Sequence, residues 1–220
     1  AYDRGWEYVG ISDHSKAAYY ARGLDVGRLV EQQAELESHR PEFEPMRILK
    51  GTEADILNDG SIDYGDDVLP RFDFVVASIH SRFSMGVEEM TDRIVRALAN
   101  PFVTGLGHPT GRLLLSRPGY EIDFDRIFDA AAANGVIIEI NGNPHRLDLD
   151  WRLLRRAADR GVTFSIHPDA HSTAEMNHVV TGVDVARKGG LAPGQIFNTR
   201  PRDEVVEYLE ERRKKAIVRR

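Results

Sequence analysis

Residues 162–171 read VTFSIHPDAH, Val162 to His171, an apolar run that ends in a carboxylate and an imidazole two residues apart. A short apolar run bounded by turn residues reads as a buried strand, so Asp169 and His171 fall at a strand end as a potential pair of metal ligands. One such pair is as easily a hydrogen bond within a loop. Its weight comes from repetition, because four earlier runs deliver similar groups: YVGISDH at Asp13 and His14, RILKGTEAD at Glu53, FVVASIH at His80 and VTGLGH at His108.

Between these runs lie helical patterns. Asp25 to about His39 places Val26, Leu29, Val30 and Leu36 among charged neighbours and stops before Pro41; Val87–Leu98 is amphipathic; Asp123–Ala133 stops at Asn134-Gly135. Trp151–Asp159 precedes Gly161, Ser172 and Glu175 have capping-box spacing for a helix to about Lys188, and Asp203–Lys215 starts acidic and ends basic. We read its basic end as a solvated helix terminus rather than a nucleic-acid arm. Strands are predicted at 8–12, 47–56, 75–79, 102–106 and 136–140 besides the opening one. His108, which precedes Pro109, is expected to be extended.

Six strand-like runs alternating with helices define an α/β chain with a parallel sheet, and no linker or low-complexity stretch divides residues 1–220. In a barrel of parallel strands the C-terminal strand ends converge on one rim. The five groups Asp13/His14, Glu53, His80, His108 and Asp169/His171 would meet there.

Composition narrows the chemistry. Hydrophobic residues at 41% and charged residues at 29% suit a soluble globular domain, and no run has the ~20 apolar residues of a membrane span, so a cytoplasmic protein without membrane association is expected. With no cysteine, any metal must be held by the eight histidines and the carboxylates. That donor set suits Mn²⁺, Zn²⁺ or Fe²⁺ over all-oxygen Mg²⁺ or Ca²⁺ sites. The net charge of −6 disfavours a broad DNA-binding surface, although bound cations would reverse the sign locally.

The motifs ISDHS (11–15), ARGL (21–24), KGTEADIL (50–57), GHPTGRLL (107–114), EINGNPHRLDL (139–149) and PDAHS (168–172) together resemble the PHP (polymerase and histidinol phosphatase) family, in particular the C-terminal PHP domain of bacterial and archaeal family X DNA polymerases. The resemblance implies a distorted TIM-like (β/α)7 barrel with up to three divalent metal ions at the strand C-termini. It makes His14, Glu53, His80, His108, Asp169 and His171 the metal ligands. His14 and His171 would share one ion, Glu53 would bridge two, His80 and His108 would complete the second, and Asp169 would bind the first. Glu53, His80 and Asp169 would form the catalytic set.

The family's first strand carries a His-x-His motif, which these residues lack. The expectation is therefore an N-terminally truncated PHP domain, with its first strand and the polymerase domains of the same gene product upstream. The implied activity is 3′-5′ exonucleolytic processing of DNA 3′ ends. A histidinol-phosphate-type phosphatase and a catalytically silent module stabilising a polymerase are the alternatives. Arg22, Arg112, Arg146 and, more weakly, Lys16 are candidates for gripping phosphate. Asn141 could orient a ligand or substrate, Glu139 calls for a structural partner such as a buried arginine, and His145 and His167 stand beside the rim motifs.

Overall fold

A computed structural model describes residues 1–219. Its centre is a curled parallel sheet of six strands in the order β1 to β6: β1 Tyr8–His14, β2 Arg47–Asp55, β3 Phe74–Ser78, β4 Gly105–Leu106, β5 Ile137–Asn141 and β6 Phe164–His167. The helices are α1 Val26–His39, α2 Val87–Leu98, α3 Phe124–Asn134, α4 Trp151–Ala158, α5 His178–Lys188 and α6 Arg202–Val218. This is the parallel α/β sheet that the strand pattern implied, curled into the distorted TIM-like half-barrel that the family resemblance implied, with β1 and β6 as its edges. No helix among the described residues is long and apolar enough to cross a membrane.

The period of two along each strand separates the faces of the sheet. Ala54, Val75, Ala77, Ile79, Leu106, Ile138, Ile140, Phe164 and Ile166 belong to the large core shared with the helices. The alternate residues Leu49 and Ile137 join a smaller core with Phe197, Val205 and Leu209, so α6 plugs the other face at the N-terminal end of the sheet. Phe74 lies across that end, and side chains at Gly10 and Gly51 would come within 2.7 and 2.1 Å of its ring. Glycine lets β1 and β2 pass beneath the aromatic ring.

Helix bounds follow the sequence closely, since caps and hydrophobic spacing are local signals. Asp25 caps α1 by accepting from the Arg28 amide at 3.0 Å, and Asp123 and Asp150 cap α3 and α4. The segment after His171 differs: Glu175–Asn177 is a 3₁₀ turn and α5 begins at His178, because the Glu175 carboxylate reaches back to the His171 amide at 2.8 Å. The basic end of α6 is no free arm. Arg212 donates to the carbonyls of Val103, Asn134 and Gly135, and Arg213 pairs with Asp73 at 2.8 Å, docking α6 on the loops that feed the strands.

Candidate metal centre

The face that α6 plugs at one end carries polar groups at the other. Continuing the alternation from Gly10, Leu49, Phe74 and Ile137 brings His14, Glu53, His80, Glu139 and Asn141 to the C-terminal end of the same face. Asp13, of opposite parity, turns away and accepts from Gln32 of α1 at 2.7 Å.

Three imidazoles meet around the Glu53 carboxylate. His108 Nε2 lies 2.9 Å and His80 Nε2 3.2 Å from Oε1, the two nitrogens are 3.3 Å apart, and His14 Nδ1 stands 3.3 Å from Oε2. His80 Nδ1 donates to Asp55 at 2.7 Å. With a proton held there, Nε2 is the nitrogen of His80 that can give up its proton to bind an ion, which is how a neighbouring acid orients a metal-binding imidazole. His108 Nδ1 is buried without a partner. Ligands of a tetrahedral ion at ~2.0–2.1 Å lie roughly 3.4 Å from one another, close to the spacing found here, so these residues fit a divalent cation. His14, Glu53 and His80 form a compact candidate group by donor spacing.

Electrostatics point the same way. Burial opposes protonation of His80, but hydrogen bonds to Asp55 and Glu53 outweigh it and push its pKa up to about 9. Burial likewise opposes ionisation of Glu53, and bonds from His108 and His80 overcome it, holding the carboxyl well below the usual range. Burial lowers the pKa of His14. The positive charge at this centre is thus supplied by protons on imidazoles, and no lysine or arginine pairs with Glu53 among the described residues.

His108 is not extended. Its φ is 23°, the ring being drawn to Glu53 while its backbone amide donates to Glu139. These two buried anchors outweigh the preference of a residue before proline. Among the described residues Glu139 pairs with no arginine; it takes the His108 amide, His167 Nδ1 at 2.9 Å and the Asn141 amide group at 3.2 Å. Asn141 also donates to Asp169 at 3.1 Å, as does Arg146 Nε, so a polar chain runs from His108 to Asp169.

Asp169 and His171 make no hydrogen bond or ion pair with the Glu53 group among the described residues, although His171 lies near enough to His14 to act on it electrostatically. His171 is exposed and 3.9 Å from Asp169. Of the cations proposed for phosphate, Arg146 faces this region with Nη1 unpartnered. Arg112 is spent on Asp150 at 2.6 Å and on the carbonyls of Arg146 and Leu147, bracing the loop that carries Arg146. Lys16 reaches only Asp63 at 4.0 Å, and Arg22 is an exposed turn residue. Asp55 went unassigned in the sequence, although it lies two residues beyond Glu53 on the same strand face. Arg93, 2% exposed, also gave no signal; it ties Ile56 and Leu57 to Ser81 and so fixes the loops after β2 and β3.

Comparison with known proteins bears on the fold. No family model matches the chain. A histidinol phosphate phosphatase from Lactococcus lactis, solved with zinc, L-histidinol and phosphate, superposes with a TM-score of 0.56 at 16% identity, covering 87% of this chain and 85% of that one. The fold is therefore of the PHP type that the sequence motifs resemble. In sequence, the chain is 42% identical over 207 residues to the DNA polymerase/3′-5′ exonuclease PolX of Bacillus subtilis, spanning 94% of itself and 36% of that protein. It is also 27% identical to a probable phosphatase of Thermoanaerobacter, spanning 98% of itself and 86% of the relative.

Proposed function

We propose that the chain is a metal-dependent phosphoesterase that processes DNA 3′ ends, as a segment of a longer family X polymerase. The observation that carries the reading is the Glu53 carboxylate gathered with His14, His80 and His108 and lacking any fixed cation. These four residues would hold divalent ions, and Asp169 and His171 would contribute from the other side of the rim. Such ions supply Lewis-acid polarisation of a phosphoryl oxygen in phosphoester hydrolysis. Asp55 keeps the His80 proton on Nδ1, Glu139 fixes the His108 backbone, and Arg146 offers a guanidinium to a phosphate beside Asp169. The unpaired edge of β1 is where a further strand with more ligands would join the sheet.

The DNA substrate is supported by the 42% identity to PolX. A small-molecule phosphatase is the second reading, favoured by the near-full-length similarity to a probable phosphatase. Metal analysis of the purified chain, with release of nucleotides from a 3′-labelled single strand and of phosphate from histidinol phosphate, both with Mn²⁺, separates the two. Nucleotide release is the expected result; hydrolysis of histidinol phosphate alone would remove the DNA reading, and bound metal without either activity would favour a silent module.

A further inference from the structure

A cleft of about 580 Å³ opens directly beside His80, between the turn Tyr19–Ala21 and the loop 57–59. That volume lies within the ~300–1,000 Å³ typical of small-ligand sites. Its floor is His80 and Asp55, one wall is Tyr19 and Tyr20, and the other is Leu57 and Asn58. The tyrosines are 87% and 69% exposed, an uncommon concentration of aromatic surface. The Tyr20 ring centroid lies 5.9 Å from those of both His14 and His80, so it borders the metal centre itself.

The charge of the cleft selects its occupant. Exposed Asp59 and the His80-bound Asp55 line it, and among the described residues no lysine or arginine does, so away from His80 it offers a phosphate no cation and accepts a neutral ring. Asn58 is exposed and offers a free carboxamide to the edge of such a ring. The far wall is held in place by Arg93, which binds the Leu57 and Ser81 carbonyls at 2.8 and 3.0 Å. An anionic group at the imidazoles, a flat aromatic wall beside them and an acidic cleft beyond describe a ligand with a phosphate at one end and a neutral planar ring at the other.

We propose that this cleft is a nucleobase subsite, in which Tyr20, with Tyr19 beside it, stacks the base of the nucleotide whose phosphate lies at the His14–Glu53–His80 centre. The assignment rests on the phosphoesterase reading for the position of the phosphate, and adds the part of the substrate that the subsite recognises. Stacking of a base on an aromatic side chain is worth about 1–3 kcal/mol by alanine substitution, which is roughly 5- to 150-fold in affinity.

Calorimetric titration of the Mn²⁺-loaded chain with deoxyadenosine 5′-monophosphate and with deoxyribose 5-phosphate tests it. The expected result is roughly tenfold tighter binding of the nucleotide. Tyr20→Ala should abolish that preference without changing the sugar phosphate affinity or the metal content, and Tyr20→Phe should retain it. Equal binding of the two compounds by the wild-type chain, absence of nucleotide binding, or a preference untouched by Tyr20→Ala would overturn the subsite. Oligonucleotides ending in adenosine or in a base-free tetrahydrofuran residue keep the two readings distinct. A nucleotide preference without hydrolysis of either oligonucleotide would sink the DNA-end reading and sustain the subsite. Hydrolysis of both at one rate, unaffected by Tyr20→Ala, would do the reverse.

Discussion

The two halves of the rim solve the problem of a buried carboxylate differently. On β2 to β4, Glu53 is surrounded by His80 and His108, whose side chains are 7% and 4% exposed, and among the described residues no arginine or lysine compensates its charge. On β5 and β6, Asp169 already has Arg146 at 3.1 Å, and its neighbour His171 is 65% exposed. Taking a charge out of water is costly unless it is paired. The first half is therefore short of positive charge and preorganised to receive it, whereas the second is neutralised by its own guanidinium and held on a loop. A divalent cation should gain most from the Glu53 side, and the Asp169 side should contribute substrate contacts more than affinity for the ion.

That contrast can be broken by single substitutions. Asp55→Asn replaces the carboxylate that holds the His80 proton on Nδ1 with a neutral carboxamide, and Mn²⁺ affinity measured by calorimetry should fall about 10- to 100-fold, the usual cost of weakening an orienting partner. Glu139→Gln weakens the link from the His108 amide to Asn141 and Asp169, and should cost roughly tenfold in the same titration. His171→Ala should change Mn²⁺ affinity by less than about threefold, since exposed groups outside a preorganised site contribute little; a loss as large as that of Asp55→Asn would merge the two halves into one site.

The smallest effect is expected in the brace of the second half. Hydrogen bonds from Arg152 and, beyond the opposing cost of burial, from Arg112 hold the Asp150 carboxyl well below its ordinary value of 3.8. A carboxyl lowered in the folded state stabilises the fold above that value and loses the contribution as the pH falls below it. Asp150→Asn keeps an N-cap for α4 and should cost no more than about 1 kcal/mol near neutral pH, with the difference from wild type shrinking towards pH 2 in chemical denaturation. A difference that persists at pH 2 would place the loss in packing instead.

The ligands of the first half were legible because each lies within or just beyond an apolar run, where strand periodicity fixes the face and topology fixes the end. Glu53, His80 and His108 are such residues. The partners that arm them were harder to see. Asp55 shares the face of Glu53 by simple parity and could have been found, but Glu139 looked in need of an arginine when its partners are a backbone amide, an asparagine and a histidine. His108 was misjudged because a local rule about proline met two long-range anchors. The arginines divided on tertiary grounds alone: nothing in the order of residues distinguishes Arg112, consumed by Asp150 and two carbonyls, from Arg146, which keeps a nitrogen free. The parallel sheet followed from the six strand-like runs, its curling from the family resemblance, and β4 shrank most, from five predicted residues to Gly105–Leu106.

Glu53 is the charge that a divalent ion would satisfy. Calorimetric titration of the metal-free chain with Mn²⁺, set beside Glu53→Gln, measures this directly. Saturable binding by the wild-type chain and a loss of at least about 100-fold in the variant, with unfolding of the metal-free proteins little changed, is the expected result. Equal affinity in the two would contradict it.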